Sequence, residues 1–143
     1  MSPTPRRPRL PHWPELLAAF LAERQGLPFA WGVNDCVTFT ADAVRAVTGL
    51  DPLGPLRGQW SDAAGAGRAI VAAGGLLVAL DVAFGPPLPE TAARMAPRGS
   101  PVCVDVDGRL TVGIAAGNGF WCAPGVLGLE HRPMHEVRLA WAL

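Results

Sequence analysis

The sequence predicts an α+β fold built as a single domain. Two patterns and a size point to it. Helix-period apolar residues fill the first half of the chain. Period-two alternation begins after Arg98-Gly99. The 143 residues, half of them hydrophobic, match one domain with its own core. Helices come first and strands second, which predicts an antiparallel sheet. The chain divides into a Pro/Arg-rich extended arm over residues 1–12 and a domain over residues 13–143.

The arm carries Pro3, Pro5, Pro8 and Pro11, which remove backbone donors and fix φ. It is expected to be ordered only against another chain, with Arg6, Arg7 and Arg9 facing acidic groups there. Pro14 then opens a helix from about Glu15 to Gln25, with Gly26 as its stop and Leu16, Leu17, Phe20 and Leu21 as its apolar face. Residues 27–34 form a loop. A second helix runs from Cys36 to about Thr48, capped by Asn34 or Asp35 and stopped by Gly49. Its apolar stripe is Val37, Ala41, Val44 and Val47 or Thr48. Residues 50–60 read as irregular. Ser61 is expected to cap a helix from Asp62 to Ala73, ending at Gly74-Gly75. Leu76 to Phe84 carries no period and stays open between helix and strand.

In the second half, Val102, Val104 and Val106 alternate with Cys103, Asp105 and Asp107, and Asp107-Gly108 signals a hairpin turn. Leu110 to Ala116 is the next strand, Gly117-Asn118-Gly119 a turn, and Phe120 to Ala123 a third strand. A loop through Pro124-Gly125 and Gly128 leads to a final short strand from Glu136 to Ala142.

Charge and composition exclude several classes. Twelve basic and twelve acidic residues balance, so no nucleic-acid surface is indicated. Cys36, Cys103 and Cys122 are an odd, sparse set, which suits a reducing cytoplasm rather than a disulfide scaffold. Arg6-Arg7 is not followed by an apolar segment, so no signal peptide is read. The longest apolar run, Ala69 to Leu80, is 12 residues and too short for a membrane span.

Cys36 is the residue with chemistry. A cysteine in a first helical turn sits beside unpaired backbone N–H groups, which stabilise a thiolate and lower the thiol pKa. That is the placement a cysteine nucleophile requires, although a buried, inert thiol fits the same residues.

Pro28-Phe29-Ala30-Trp31-Gly32 followed by Asp35-Cys36 resembles the signature of the NlpC/P60 cell-wall peptidases. That signature is Pro-Tyr, a Trp-Gly or Gly-Gly, then Asp-Cys-Ser-Gly-Leu opening a helix; this chain has Phe29 for the Tyr and Val37-Thr38-Phe39 for Ser-Gly-Leu. Gly99-Ser100-Pro101-Val102, Val112-Gly113-Ile114 and Gly117-Asn118-Gly119-Phe120 resemble the family's second half. The resemblance implies a papain-like domain, with the cysteine helix packed on the sheet. It also implies a histidine base before Val-Gly-Ile and a polar third residue before the Ala after the turn. Here those positions hold Thr111 and Cys122. A threonine does not titrate near neutral pH and cannot relay the proton of a thiol.

His131 and His135 remain as alternative bases, His12 lying in the arm. Cys36, Cys122 and these histidines lack zinc-type Cys-x₂-Cys spacing, so no metal and no cofactor are expected. Trp31, Trp60 and Trp121 read as a sugar or partner surface, or as core anchors; Asn34 and Asp35 border the cysteine as binding or capping groups.

Three functions follow. The first is a structural component of a phage or phage-derived, gene-transfer-agent-like tail or tail tip, contacting other tail proteins. It rests on the Trp31-Gly32-x-Asn34-Asp35-Cys36 run, which resembles small proteins of phage tail gene clusters. Such a protein is made in the cytoplasm without a signal peptide and incorporated in a virion tail. The second is an active peptidase acting on peptidoglycan peptides through Cys36 and a relocated histidine. The third is a cytoplasmic domain that binds a small ligand in the old cleft.

Overall fold

A computed structural model describes residues 8–143. Five helices come first: α1 (Trp13–Arg24), α2 (Cys36–Thr48), α3 (Ala63–Ala72), α4 (Leu76–Phe84) and the short α5 (Glu90–Ala93). Five strands follow: β1 (Pro101–Val106), β2 (Arg109–Gly117), β3 (Phe120–Pro124), β4 (Leu129–Pro133) and β5 (Val137–Ala140). They form one antiparallel sheet in the order β4-β3-β2-β1-β5. The expected α+β order of helices and then an antiparallel sheet is what the chain adopts.

Several local expectations need correction. Leu16 is exposed rather than part of the α1 core face, which rests on Leu17 and Phe20. Phe39 and Ala43 of α2 are fully buried beside the expected Ala41, Val44 and Val47. The cause is the position of α2 between α1 and the sheet, where Leu17, Phe20, Phe39, Ala43, Ile114 and Cys122 share one cluster. The cap of α3 is Asp62, whose Oδ1 accepts the Gly65 N–H at 2.7 Å, not Ser61. The open segment 76–84 is a helix because Leu80 and Phe84 pack on the buried Trp141, whose indole N–H donates to Asp81 at 3.2 Å. Among the described residues no single helix is long and apolar enough to cross a membrane.

The pleat divides the sheet into two faces. Cys103, Val112, Ile114 and Cys122 face α2 and the Trp141 cluster. Val102, Val104, Ala115, Trp121 and Ala123 face away, covered by Ala93 of α5 and by Met134. Pro133 of β4 and Val137 of β5 lie on opposite edges of the sheet, yet only Met134–Glu136 join them. Four residue steps reach about 14 Å, whereas a flat five-stranded sheet is about 19 Å across. The sheet therefore curls around the Trp121 face.

The arm expectation also changes. Residues 1–7 lie outside the described residues. Pro8 to His12 dock on their own domain rather than waiting for another chain. Leu10 N–H donates to the Val47 carbonyl at 2.8 Å. Arg9 stacks on Trp13 at 4.1 Å and donates to the Arg98 carbonyl at 2.7 Å. An arginine laid on an aromatic ring supplies the contact area that Leu10 alone lacks.

Candidate functional site

The loop before α2 is held from inside. Asp35 is buried, and its carboxylate accepts three N–H groups: Thr38 at 2.8 Å as the helix cap, Gly32 at 2.7 Å, and the Trp60 indole at 2.8 Å. Gly32 has φ 76°, and a Cβ there would strike the Trp60 carbonyl, so no other residue fits. Asn34 is buried too. Its amide donates to the Leu27 and Pro28 carbonyls at 3.2 and 3.0 Å, and its oxygen accepts from Arg24 at 3.0 Å. Arg24 continues to Asp42, which meets Arg57, which meets Asp51, each contact at 2.7 Å. This chain of charges ties the loop to α1, α2 and the segment after α2. Asn34 and Asp35 thus spend their polar atoms on holding the loop together and fastening it to α1, α2 and Trp60.

Cys36 is the first residue of α2 and packs beside Val112, Cys103 and Trp141. Its sulfur lies within reach of the Val112 backbone N–H. Burial pushes the thiol above its ordinary range, and Asp35 adds to the rise. Both outweigh the N–H groups of Val112, Val37 and Cys36 itself, which pull it down. The expected low-pKa thiolate is therefore overturned. Desolvation in a packed seam exceeds the stabilisation from a helix start.

No imidazole is among the groups acting on the Cys36 thiol. His131 is exposed on β4, two strands from β2, and pairs in register with Cys122. His135 is exposed in the turn that crosses the Trp121 face, on the far side of the sheet from α2. Thr111 stands opposite Val104 in the β1–β2 ladder, so its side chain shares the Val104 face and points away from Cys36. Cys122 is fully buried with Ile114 and Phe39, and burial pushes its thiol up to about 12.

A family model described as a domain of unknown function, DUF6950, matches residues 8–143. The chain belongs to the DUF6950 family. No curated protein and no solved structure matches it.

Within this DUF6950 domain the tryptophans divide. Trp31 is 41% exposed and meets Phe29 edge-on at 4.8 Å. Trp121 is buried in the core of the curled face, so the reading of it as a surface binding residue is corrected. Trp60, read as a surface or core aromatic, holds the Asp35 carboxylate instead, and Arg24 is a holding residue that sequence reasoning missed. They lie 25 and 10 positions from their partners, and no local pattern marks such a contact. A shallow groove lined by Phe20, Arg24, Asp42, Arg45 and Ala46 contains neither Cys36 nor Trp31. Among the described residues no three His, Cys, Asp or Glu side chains converge as metal ligands.

Proposed function

We propose that this DUF6950 domain is a non-catalytic relative of the papain-like NlpC/P60 domains, serving as a structural component of a phage or phage-derived tail or tail tip. One observation carries the non-catalytic part: Cys36 packs against the Val112 side of β2, while Thr111, at the expected base position, lies on the opposite face and His131 and His135 lie on β4 and in the turn after it. Cysteine hydrolysis needs a base that takes the thiol proton and returns it to the leaving amine. The helix-borne cysteine laid on an antiparallel sheet supports the fold kinship. The Trp31-Gly32-Val33-Asn34-Asp35-Cys36 run supports the tail setting through its resemblance to tail-cluster proteins.

The surface around the loop also suits an assembled part. Leu27, Trp31 and Val33 are exposed on the loop, and Val126 and Leu127 on the β3–β4 turn. The two segments meet where Phe29 N–H donates to the Gly125 carbonyl at 2.8 Å. Exposed apolar residues gathered at one end of a chain mark a contact site.

Two measurements test the proposal. Purified protein incubated with muropeptides should leave them intact by mass spectrometry; Cys36-dependent cleavage products would overturn the non-catalytic reading. Quantitative mass spectrometry of purified particles should find the chain at a fixed stoichiometry. Absence from particles would overturn the structural role.

A further inference from the structure

The α1–α2 pair separates two features of the surface. At one end, where α1 begins and α2 closes, Pro8 to His12 dock through Trp13 and Val47. At the other end, where α1 closes and α2 begins, the 27–33 loop meets the β3–β4 turn through the Phe29–Gly125 hydrogen bond. There the rings of Phe29 and Trp31 stand 86° apart and make a corner rather than a flat stack. Trp31 is exposed, and Val126 and Leu127, next to Gly125, stand almost free of the domain.

The charge beside this corner is acidic. Glu130 is exposed, is in no ion pair among the described residues, and its carboxylate lies against Gly125. Arg24, the nearest cation on α1, is taken up by Asn34 and Asp42. Exposed aromatic surfaces of this kind receive proline-rich segments. A proline ring fills the apolar ground, and its fixed φ means that little entropy is lost on docking.

This chain carries such a segment. Pro3 and Pro5 precede Arg6 and Arg7, outside the described residues. They are too short to serve their own corner. At about 3.1 Å per residue, Pro5 extends about 9 Å and Pro3 about 16 Å beyond Pro8. The 12 residues of α1 alone measure about 18 Å, and the corner lies past the far end of that helix.

We propose that residues 3–7 of one copy dock on the Phe29–Trp31 corner of a second copy of this chain, with Arg6 or Arg7 meeting Glu130. Arm and corner lie at opposite ends of the helix pair. Each copy therefore gives one arm and receives another, and copies join head to tail. The contact stands apart from the tail reading, since it needs neither a particle nor a different chain.

Sedimentation velocity on the full chain tests this, with circular dichroism confirming that each variant folds. Wild type is expected to associate as concentration rises. Pro3→Asp combined with Pro5→Asp removes the rings and sets negative charge toward Glu130, and is expected to leave a monomer. Trp31→Ala removes the corner and is expected to do the same. An equimolar mixture of these two variants should form a dimer and nothing larger, because one supplies an intact arm and the other an intact corner. Glu130→Arg in the otherwise natural chain should weaken association about threefold, as loss of an exposed ion pair does. A wild-type monomer at all concentrations, or association indifferent to the proline substitutions, would overturn the proposal. So would a mixture that stays monomeric, the result expected if two corners meet each other instead.

Discussion

The indole of Trp121 lies against the backbone of Gly113. A Cβ at position 113 would come within 2.9 Å of its Cε3 atom and closer still to the Cys122 carbonyl. Glycine here is a packing requirement: it lets the large ring of β3 fold over β2 and fill the curled face. Gly113→Ala should therefore cost about 1–3 kcal/mol. Urea denaturation checks this through a lowered midpoint with an unchanged slope. An unaltered midpoint would mean that the strands spread apart at no cost.

Asp35 holds three donors, one at the start of α2 and two that bind the loop to Trp60. Removing its carboxylate forfeits a cap and leaves buried N–H groups unpaired. Asp35→Ala should lose roughly 2–4 kcal/mol and disturb the emission of Trp60. Loss of stability comparable to an ordinary surface substitution would contradict this role.

The thiols give the protein an alkaline limit. Burial raises Cys36, pushes Cys103 up to about 11 and Cys122 up to about 12. An unfolded thiol ionises near about 8.5. Above that pH the unfolded chain releases protons that the folded chain retains, so ionisation favours unfolding. The stabilisation is complete below about pH 8.5 and declines as pH rises toward 12. Denaturation followed from pH 7 to pH 11 should show this fall, and Cys122→Ala should flatten it. Alkylation of Cys36 by iodoacetamide should likewise keep accelerating above pH 9, whereas a catalytic thiolate would plateau near neutrality.

Arg9 joins the Trp13 ring to the Arg98 carbonyl and so seats Pro8 to His12 on the domain. Arg9→Ala should cost about 1 kcal/mol. Its clearer mark is faster exchange of the Leu10 amide, which donates to Val47. Unchanged exchange would show that Leu10 alone holds the segment.

How much could be read in advance depended on how far each cause acts along the chain. The sequence by itself determined the order of helices before strands, the bounds of the cysteine helix, Asp35 as one of two possible caps, and the Asp107-Gly108 turn. In that turn both residues take positive φ, 53° and 79°, as a two-residue hairpin demands. These are local matters, set by periodicity and by what a short backbone segment tolerates. The tertiary structure alone decided the rest. β4 escaped notice because an edge strand with a polar surface and a terminal proline shows no alternation. Segment 76–84 became a helix only because Trp141, about 60 residues away, takes up Leu80 and Phe84. Cys36 lost its expected thiolate for the same kind of reason. A helix start acts within one turn, but burial comes only once α2 lies on the sheet and Cys36 packs against the cluster of Leu80, Cys103, Val112 and Trp141.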